Sequence, residues 1–87
     1  MPPFQIIWDR IALFQGNLFQ TTRGKEFTYR IVGNRFICSR VNYNIRKHDF
    51  DQVYNIWPVN GPGVILPNIN GRSYVWGVLN DERILAP

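Results

Sequence analysis

The chain has 87 residues, 45% of them hydrophobic and 15% aromatic, which is enough apolar material for one compact core and not for two. Its charged fraction of 18%, its net charge of +4 and its scattered glycines and prolines do not fit disordered chains, collagen or coiled coils. A single domain over residues 1–87 is therefore predicted.

Three functional classes are disfavoured by what the chain lacks. No apolar run approaches the roughly 18 residues that cross a bilayer, and Met1-Pro2-Pro3-Phe4 has no basic segment of the signal-peptide type. The single cysteine, Cys38, excludes an intramolecular disulfide, and with one histidine it cannot assemble a zinc site alone. We expect a soluble cytoplasmic protein with no membrane contact, no cofactor and no metal.

The first segment, residues 4–14, spaces Ile7, Ile11 and Phe14 at helical intervals, and Gly16 follows where a left-handed residue caps a helix. This pattern predicts a helix of about ten residues. A strand is the alternative, because three apolar residues also alternate: Phe4, Ile6 and Trp8.

Residues 18–22, 26–32 and 35–40 are rich in β-forming residues and predict a three-stranded meander. Gly33-Asn34 is a two-residue loop with glycine first, which suits a type II′ hairpin turn. This loop sets the register, so that Val32 opposes Arg35 and Tyr29 opposes Cys38.

Opposed residues share a face of the sheet. The core face is predicted to carry Phe27, Tyr29, Ile31, Phe36 and Cys38. The opposite face, which is predicted to be mostly exposed to solvent, carries Thr28, Arg30, Val32, Arg35, Ile37 and Ser39.

Two further helices are predicted, after a short extended piece at residues 43–45. Residues 46–57 are amphipathic and Pro58 ends that helix, while residues 73–84 form a closing helix despite Gly77. Between them a helical turn broken by Pro67 is expected from three apolar residues: Ile65, Leu66 and Ile69. The order predicts an α+β domain, a small three-stranded antiparallel meander with helices packed on one face. So small a core is narrowly stable, and a second copy of the chain is a plausible partner.

The positive charge is concentrated in residues 23–47. This stretch has seven cations against Glu26 alone, a net +6, while the remaining residues hold three cations against five carboxylates, a net −2. Eight of the ten cations are arginine, which forks onto phosphates better than lysine does. A non-enzymatic module that binds DNA or RNA through a basic hairpin is the leading hypothesis, with these candidate contacts: Arg23, Lys25, Arg30, Arg35, Arg40, Arg46 and Lys47.

Two alternatives remain for these cations. Arginines on solvated strands also keep small domains dissolved, without any ligand. The start of the middle helix, Arg46-Lys47-His48, adds a possible phosphate site made by backbone N–H groups, or it is an ordinary helix entry.

A small ribonuclease is the third hypothesis. It requires a base, an acid and a phosphate-binding cation, and the candidates are Glu26, Tyr29, Arg30 and His48. No spacing rule brings them together, and no nucleophile elbow or glycine-rich phosphate loop occurs. Cys38 falls on the core face, as a buried apolar thiol would.

The second hypothesis is a protein-interaction module that associates with itself through aromatic side chains. The closing helix carries Tyr74 and Trp76, and aromatic residues contribute much of the binding energy of protein interfaces. On this hypothesis the cations of residues 23–47 are solvated surface residues without a ligand.

The segments Gly24-Lys-Glu-Phe-Thr-Tyr-Arg-Ile-Val-Gly-Asn34 and Ser73-Tyr-Val-Trp-Gly-Val-Leu-Asn-Asp-Glu-Arg-Ile84 together cover 23 residues. They resemble short uncharacterised bacterial proteins carried on mobile gene cassettes or beside restriction genes. The resemblance implies a bacterial or phage-related cytoplasmic origin and favours DNA-related work or a toxin or antitoxin role. It implies no particular activity and no site residues.

Overall fold

The computed structural model describes residues 1–65 and 67–85, which form an α+β globule with Cα extents of 29 × 26 × 22 Å. The elements in chain order are α1 Phe4–Leu13, β1 Phe19–Gln20, β2 Glu26–Phe27, β3 Tyr29–Val32, β4 Arg35–Cys38, β5 Asn44–Arg46, α2 Lys47–Asn55, a 3₁₀ turn Pro62–Val64, α3 Arg72–Leu79 and α4 Glu82–Leu85. Within these ranges no helix is long and apolar enough to cross a membrane.

The main sheet is an antiparallel meander in the order β3-β4-β5, and β1 pairs with β2 in a separate hairpin. The predicted fold class, a three-stranded antiparallel meander with packed helices, is confirmed. Its strands differ from the prediction, because the third member is residues 44–46 and not residues 18–22. The chain after α1 explains this difference, since it occupies the outer edge of β3. Gly16 N–H donates to the Tyr29 carbonyl at 2.9 Å, and Gln15 Oε1 accepts the Ile31 N–H at 3.0 Å.

The register predicted from the Gly33 turn is confirmed at all four pairs of the β3-β4 ladder, from Val32 with Arg35 to Tyr29 with Cys38. Gly33 has φ +60° and Asn34 has no positive φ, as a type II′ turn requires. The ladder does not continue to a Phe27–Arg40 pair, because Phe27 pairs with Phe19 in the other hairpin.

The predicted core face lies against α1 and α2. The rings of Tyr29 and Phe36 stack with centroids 4.4 Å apart, and Phe36 contacts Phe50 of α2 at 4.9 Å. Tyr29 Oη donates a 2.7 Å hydrogen bond to the carbonyl of Ile11 in α1, and burial raises the pKa of this phenol above its usual value. Cys38 is buried on the same face, as predicted, and burial also raises the pKa of its thiol.

The first segment is a helix, so the alternative of a strand at its start is wrong. The middle helix begins at Lys47 and ends at Asn55, before Pro58. The helix is amphipathic, as predicted, and Phe50 and Val53 are buried on its apolar side.

The closing segment is not one helix but two. Asp81 Oδ1 accepts the backbone N–H of Arg83 at 2.9 Å, and this side-chain contact at the start of α4 favours a break after α3. The helical turn expected at residues 65–69 is also absent where the structure describes it. The 3₁₀ turn lies earlier, at Pro62–Val64, although Ile65 and Ile69 are buried; Leu66 lies outside the described residues.

Gly77, which the sequence presents as a weakness of the closing helix, lies where α3 crosses β1. A Cβ at this position would be 2.5 Å from the backbone oxygen of Gln20 and 3.5 Å from the ring of Phe27. The absence of a side chain is therefore what allows α3 to pack on the β1-β2 hairpin.

Candidate nucleic-acid interface

The outward face of the β3-β4-β5 sheet carries two rows of side chains, which we call the open face. The row beside the Gly33 turn is Val32, Arg35 and Arg46, and the next row is Arg30, Ile37 and Asn44. All six are exposed except Ile37, which is half-buried. The helices bury the opposite face, so the open face is accessible to a ligand.

Two arginines on this face have no hydrogen-bond or ion-pair partner in the described part of the chain. Arg30 opposes Ile37, two residues from Arg35 along β4, so Arg30 and Arg35 are diagonal neighbours. Such a diagonal separates Cβ atoms by about 7–8 Å. The two guanidinium groups are thus close enough to bind neighbouring anionic groups at once.

The third arginine of the open face is engaged by the protein itself. Arg46 Nη2 lies 2.7 Å from Asp49 Oδ1, and its Nε lies 3.3 Å from Asp49 Oδ2. Hydrogen bonds and charge attraction from this carboxylate raise the pKa of Arg46. Because Arg46 lies directly opposite Arg35, its pairing with Asp49 reduces a like-charge repulsion across the strands.

Two backbone N–H groups of the predicted phosphate site at the start of α2 already have acceptors. The Arg46 N–H donates to Asp49 Oδ2 at 3.0 Å, and the Lys47 N–H donates to the Asn34 carbonyl at 2.8 Å. Lys47 Nζ donates to Gln5 Oε1 at 2.9 Å and lies 6.0 Å from the centroid of the Trp8 ring. A groove of about 460 Å³ remains beside this helix start, lined by Phe4, Asn34, Arg35, Arg46, Lys47, His48 and Asp51.

The other three predicted contacts lie at the far end of the hairpin. Arg23 and Lys25 are exposed in the connection between β1 and β2, and Arg40 Nε donates to the Glu26 carbonyl at 2.6 Å. The β2 strand and the break at Thr28 separate Lys25 from Arg30. The structure therefore divides the seven cations, with Arg30, Arg35, Arg46 and Lys47 at one end.

One backbone N–H on each outer edge of the sheet is bonded by a side chain of the same chain. On β3, Gln15 accepts the Ile31 N–H, and on β5, Asp49 accepts the Arg46 N–H. A sheet edge binds a foreign strand through unpaired N–H and C=O groups. These contacts leave the open face, and not the edges, as the better surface for a partner.

The four residues of the ribonuclease hypothesis are not brought together. Glu26 lines a groove of about 740 Å³ with Trp76 and Asp81, whereas His48 lines the groove beside Arg35. Tyr29 is buried on the core face, and Arg30 is on the opposite face. Across residues 1–65 and 67–85, no three histidine, cysteine or carboxylate side chains are clustered as metal ligands.

The two predicted interface aromatics have partners within the chain. Trp76 Nε1 donates to the Val59 carbonyl at 3.2 Å, and the Tyr74 ring lies edge-on to Phe27 with centroids 5.1 Å apart. Both are half-buried. Their part in self-association stays a prediction.

Sequence reasoning missed the roles of Gln15, Asn44 and Asp49. The sequence has no serine or threonine three residues before Asp49 to indicate a capping box. Gln15 and Asn44 carry no local signal, because their positions depend on which strand lies beside them.

No protein-family model, curated protein or solved structure matches this chain. The structure itself shows the class of the fold, an α+β globule with a three-stranded antiparallel sheet.

Proposed function

We propose that this protein is a small nucleic-acid-binding module that contacts phosphates with the open face of its three-stranded sheet. The observation that carries the proposal is the pair Arg30 and Arg35, two exposed guanidinium groups on the open face with no hydrogen-bond or ion-pair partner among residues 1–65 and 67–85. Arginine binds phosphate oxygens through two parallel N–H donors, and exposed cations add on-rate and salt-sensitive affinity.

A comparison with Arg83 supports this proposal. Arg83 pairs with Asp81 at 2.9 Å, lies 3.9 Å from the centroid of Phe19 and donates to the Leu18 carbonyl at 2.8 Å. That arginine stabilises the fold through these contacts. Within the described part of the chain, Arg30 and Arg35 have no such hydrogen bond or ion pair, so a role outside the chain accounts for them better.

The experiment is a fluorescence anisotropy titration of a mixed-sequence DNA duplex between about 50 and 300 mM salt, with the wild type and the double variant Arg30→Ala/Arg35→Ala. Each phosphate contact contributes about −0.9 to the slope of log K against log salt. The double variant should flatten the slope by nearly two units and leave the unfolding free energy almost unchanged.

The matched control is Arg23→Ala/Lys25→Ala, which removes the same charge from the far end of the hairpin. It should leave the slope within a few tenths of the wild-type value. Equal flattening by both double variants would mean that the contact follows total charge and would overturn the assignment to the open face. A wild type that binds no nucleic acid at about 50 mM salt would end the proposal.

A second variant increases the number of free cations. Asp49→Asn removes the carboxylate that holds Arg46 and should steepen the slope by up to about 0.9. Loss of the Asp49 contact to the helix start should cost about 1 kcal/mol of stability. The variant remains a valid test, because partial unfolding would weaken binding and cannot explain a gain.

A further inference from the structure

We infer that the partner is double-stranded DNA, contacted face-on by the sheet, and not a single strand. This inference rests on the proposed function and names its ligand. It follows from which side chains the open face carries, from its width and from the amide of Asn44 on its outer strand β5.

The open face carries no aromatic ring within the strands that the structure describes. The aromatic residues of β3 and β4, Tyr29 and Phe36, are buried on the core face. Proteins that bind single strands hold successive bases on aromatic rings, and each stacked base contributes about 1–3 kcal/mol. A face that offers phosphate contacts but no stacking ring favours a duplex, whose bases stay stacked on one another.

The width of two neighbouring strands of the sheet fits the major groove of B-form DNA. Strand axes lie about 4.8 Å apart, so the axes of the two outer strands are about 10 Å apart. The major groove is about 12 Å wide and admits a two-stranded β-ribbon, so two of the three strands enter it together, whereas the major groove of A-form RNA is too narrow for side chains to read.

The row away from the Gly33 turn has the composition of a base-contacting row. It places Ile37 between Arg30 and Asn44, and Asn44 is an exposed amide without a hydrogen-bond partner in the described residues. An amide pairs with the N6 and N7 atoms of adenine, and an aliphatic group contacts the methyl group of thymine. These are groups that a duplex presents in its major groove.

The test compares three probes of equal length and sequence at one salt concentration: a 20-base-pair DNA duplex, one of its single strands, and the corresponding RNA duplex. We expect the DNA duplex to bind at least about tenfold more tightly than either of the others, a difference of about 1.4 kcal/mol. The RNA duplex controls for charge density, because it has two phosphate strands but a different groove.

The outcomes separate the inference from the proposed function. Binding of the single strand or of the RNA duplex as tight as that of the DNA duplex, abolished by Arg30→Ala/Arg35→Ala, would overturn the inference and leave the proposed function standing. No binding of any probe would remove both. Asn44→Ala gives the finer readout, since it should reduce the preference for the DNA duplex while leaving the salt slope unchanged.

Discussion

The two faces of the β3-β4-β5 sheet are made by alternating residues of the same three strands, yet they have opposite roles. The core face places Tyr29 and Phe36 against α1 and α2, where both side chains are buried. The open face carries Arg30 and Arg35, whose guanidinium groups have no hydrogen-bond or ion-pair partner in the described residues. One face therefore stabilises the fold, and the other is left available for a ligand.

The arginines divide in the same way. Arg46 forms an ion pair with Asp49 and Arg83 forms one with Asp81, with N–O distances of 2.7 and 2.9 Å. Arg46 and Arg83 therefore have ion pairs within the fold, whereas Arg30 and Arg35 have none in the described residues. A cluster of positive charge in a sequence thus overstates the number of cations that are free to bind.

The largest expected effect separates the two faces directly. Phe36→Ala should lower the free energy of unfolding by about 3–5 kcal/mol, because it removes a fully buried ring that contacts Tyr29 and Phe50. Its neighbour on the open face, Ile37→Ala, should cost less than about 1 kcal/mol. Urea denaturation measures both. If Phe36→Ala does not fold, Phe36→Leu should still cost roughly 1–2 kcal/mol, and losses of similar size at positions 36 and 37 would contradict the division into two faces.

A second, smaller effect tests the packing of α3. Gly77→Ala should destabilise the protein by about 1–3 kcal/mol, because the new Cβ would overlap the Gln20 carbonyl. In an unconstrained helix the same change stabilises by up to about 1 kcal/mol, so the sign of the effect is diagnostic. Gly63→Ala is the control, since a Cβ there meets nothing within 4 Å. Thermal unfolding of the two variants decides the matter, and a stabilised Gly77→Ala protein would refute the close crossing.

The smallest expected effect concerns an arginine that is paired within the fold. It is the pH dependence of the unfolding free energy that comes from the ion pair of Asp81 with Arg83. The guanidinium of Arg83 holds the pKa of Asp81 below its ordinary value of 3.8. A lowered pKa in the folded state gives stability that is present above pH 3.8 and is lost as the pH falls through the lower folded value. Asp81→Asn should therefore cost about 1 kcal/mol at pH 6, and the difference from the wild type should shrink below pH 4.

Urea unfolding of both proteins across pH 2.5–6 checks this dependence. The control is the same substitution in an Arg83→Ala background, where most of the pH dependence should disappear. A difference that stays constant across the pH range in the Arg83 protein would show that the ion pair contributes nothing.

The sequence determined those features that follow from local geometry. Side chains alternate with a period of two along a strand, and a two-residue loop with glycine first fixes which residues oppose each other. Gly33 and the apolar alternation of residues 27–38 were therefore sufficient to predict the register, the buried position of Cys38 and the outward position of Arg30 and Arg35. The concentration of positive charge in residues 23–47 was also visible in the sequence.

The tertiary structure decided what depends on segments distant in the chain. Which strand joins the sheet was settled by Gln15 and Gly16, which occupy the edge of β3 that the predicted first strand needed. The role of Gly77 was settled by the backbone of Gln20, 57 residues earlier in the numbering. The physical reason is that an edge can be filled, or a close approach made, by any segment that packing delivers there, and no periodicity along the chain records which segment it will be.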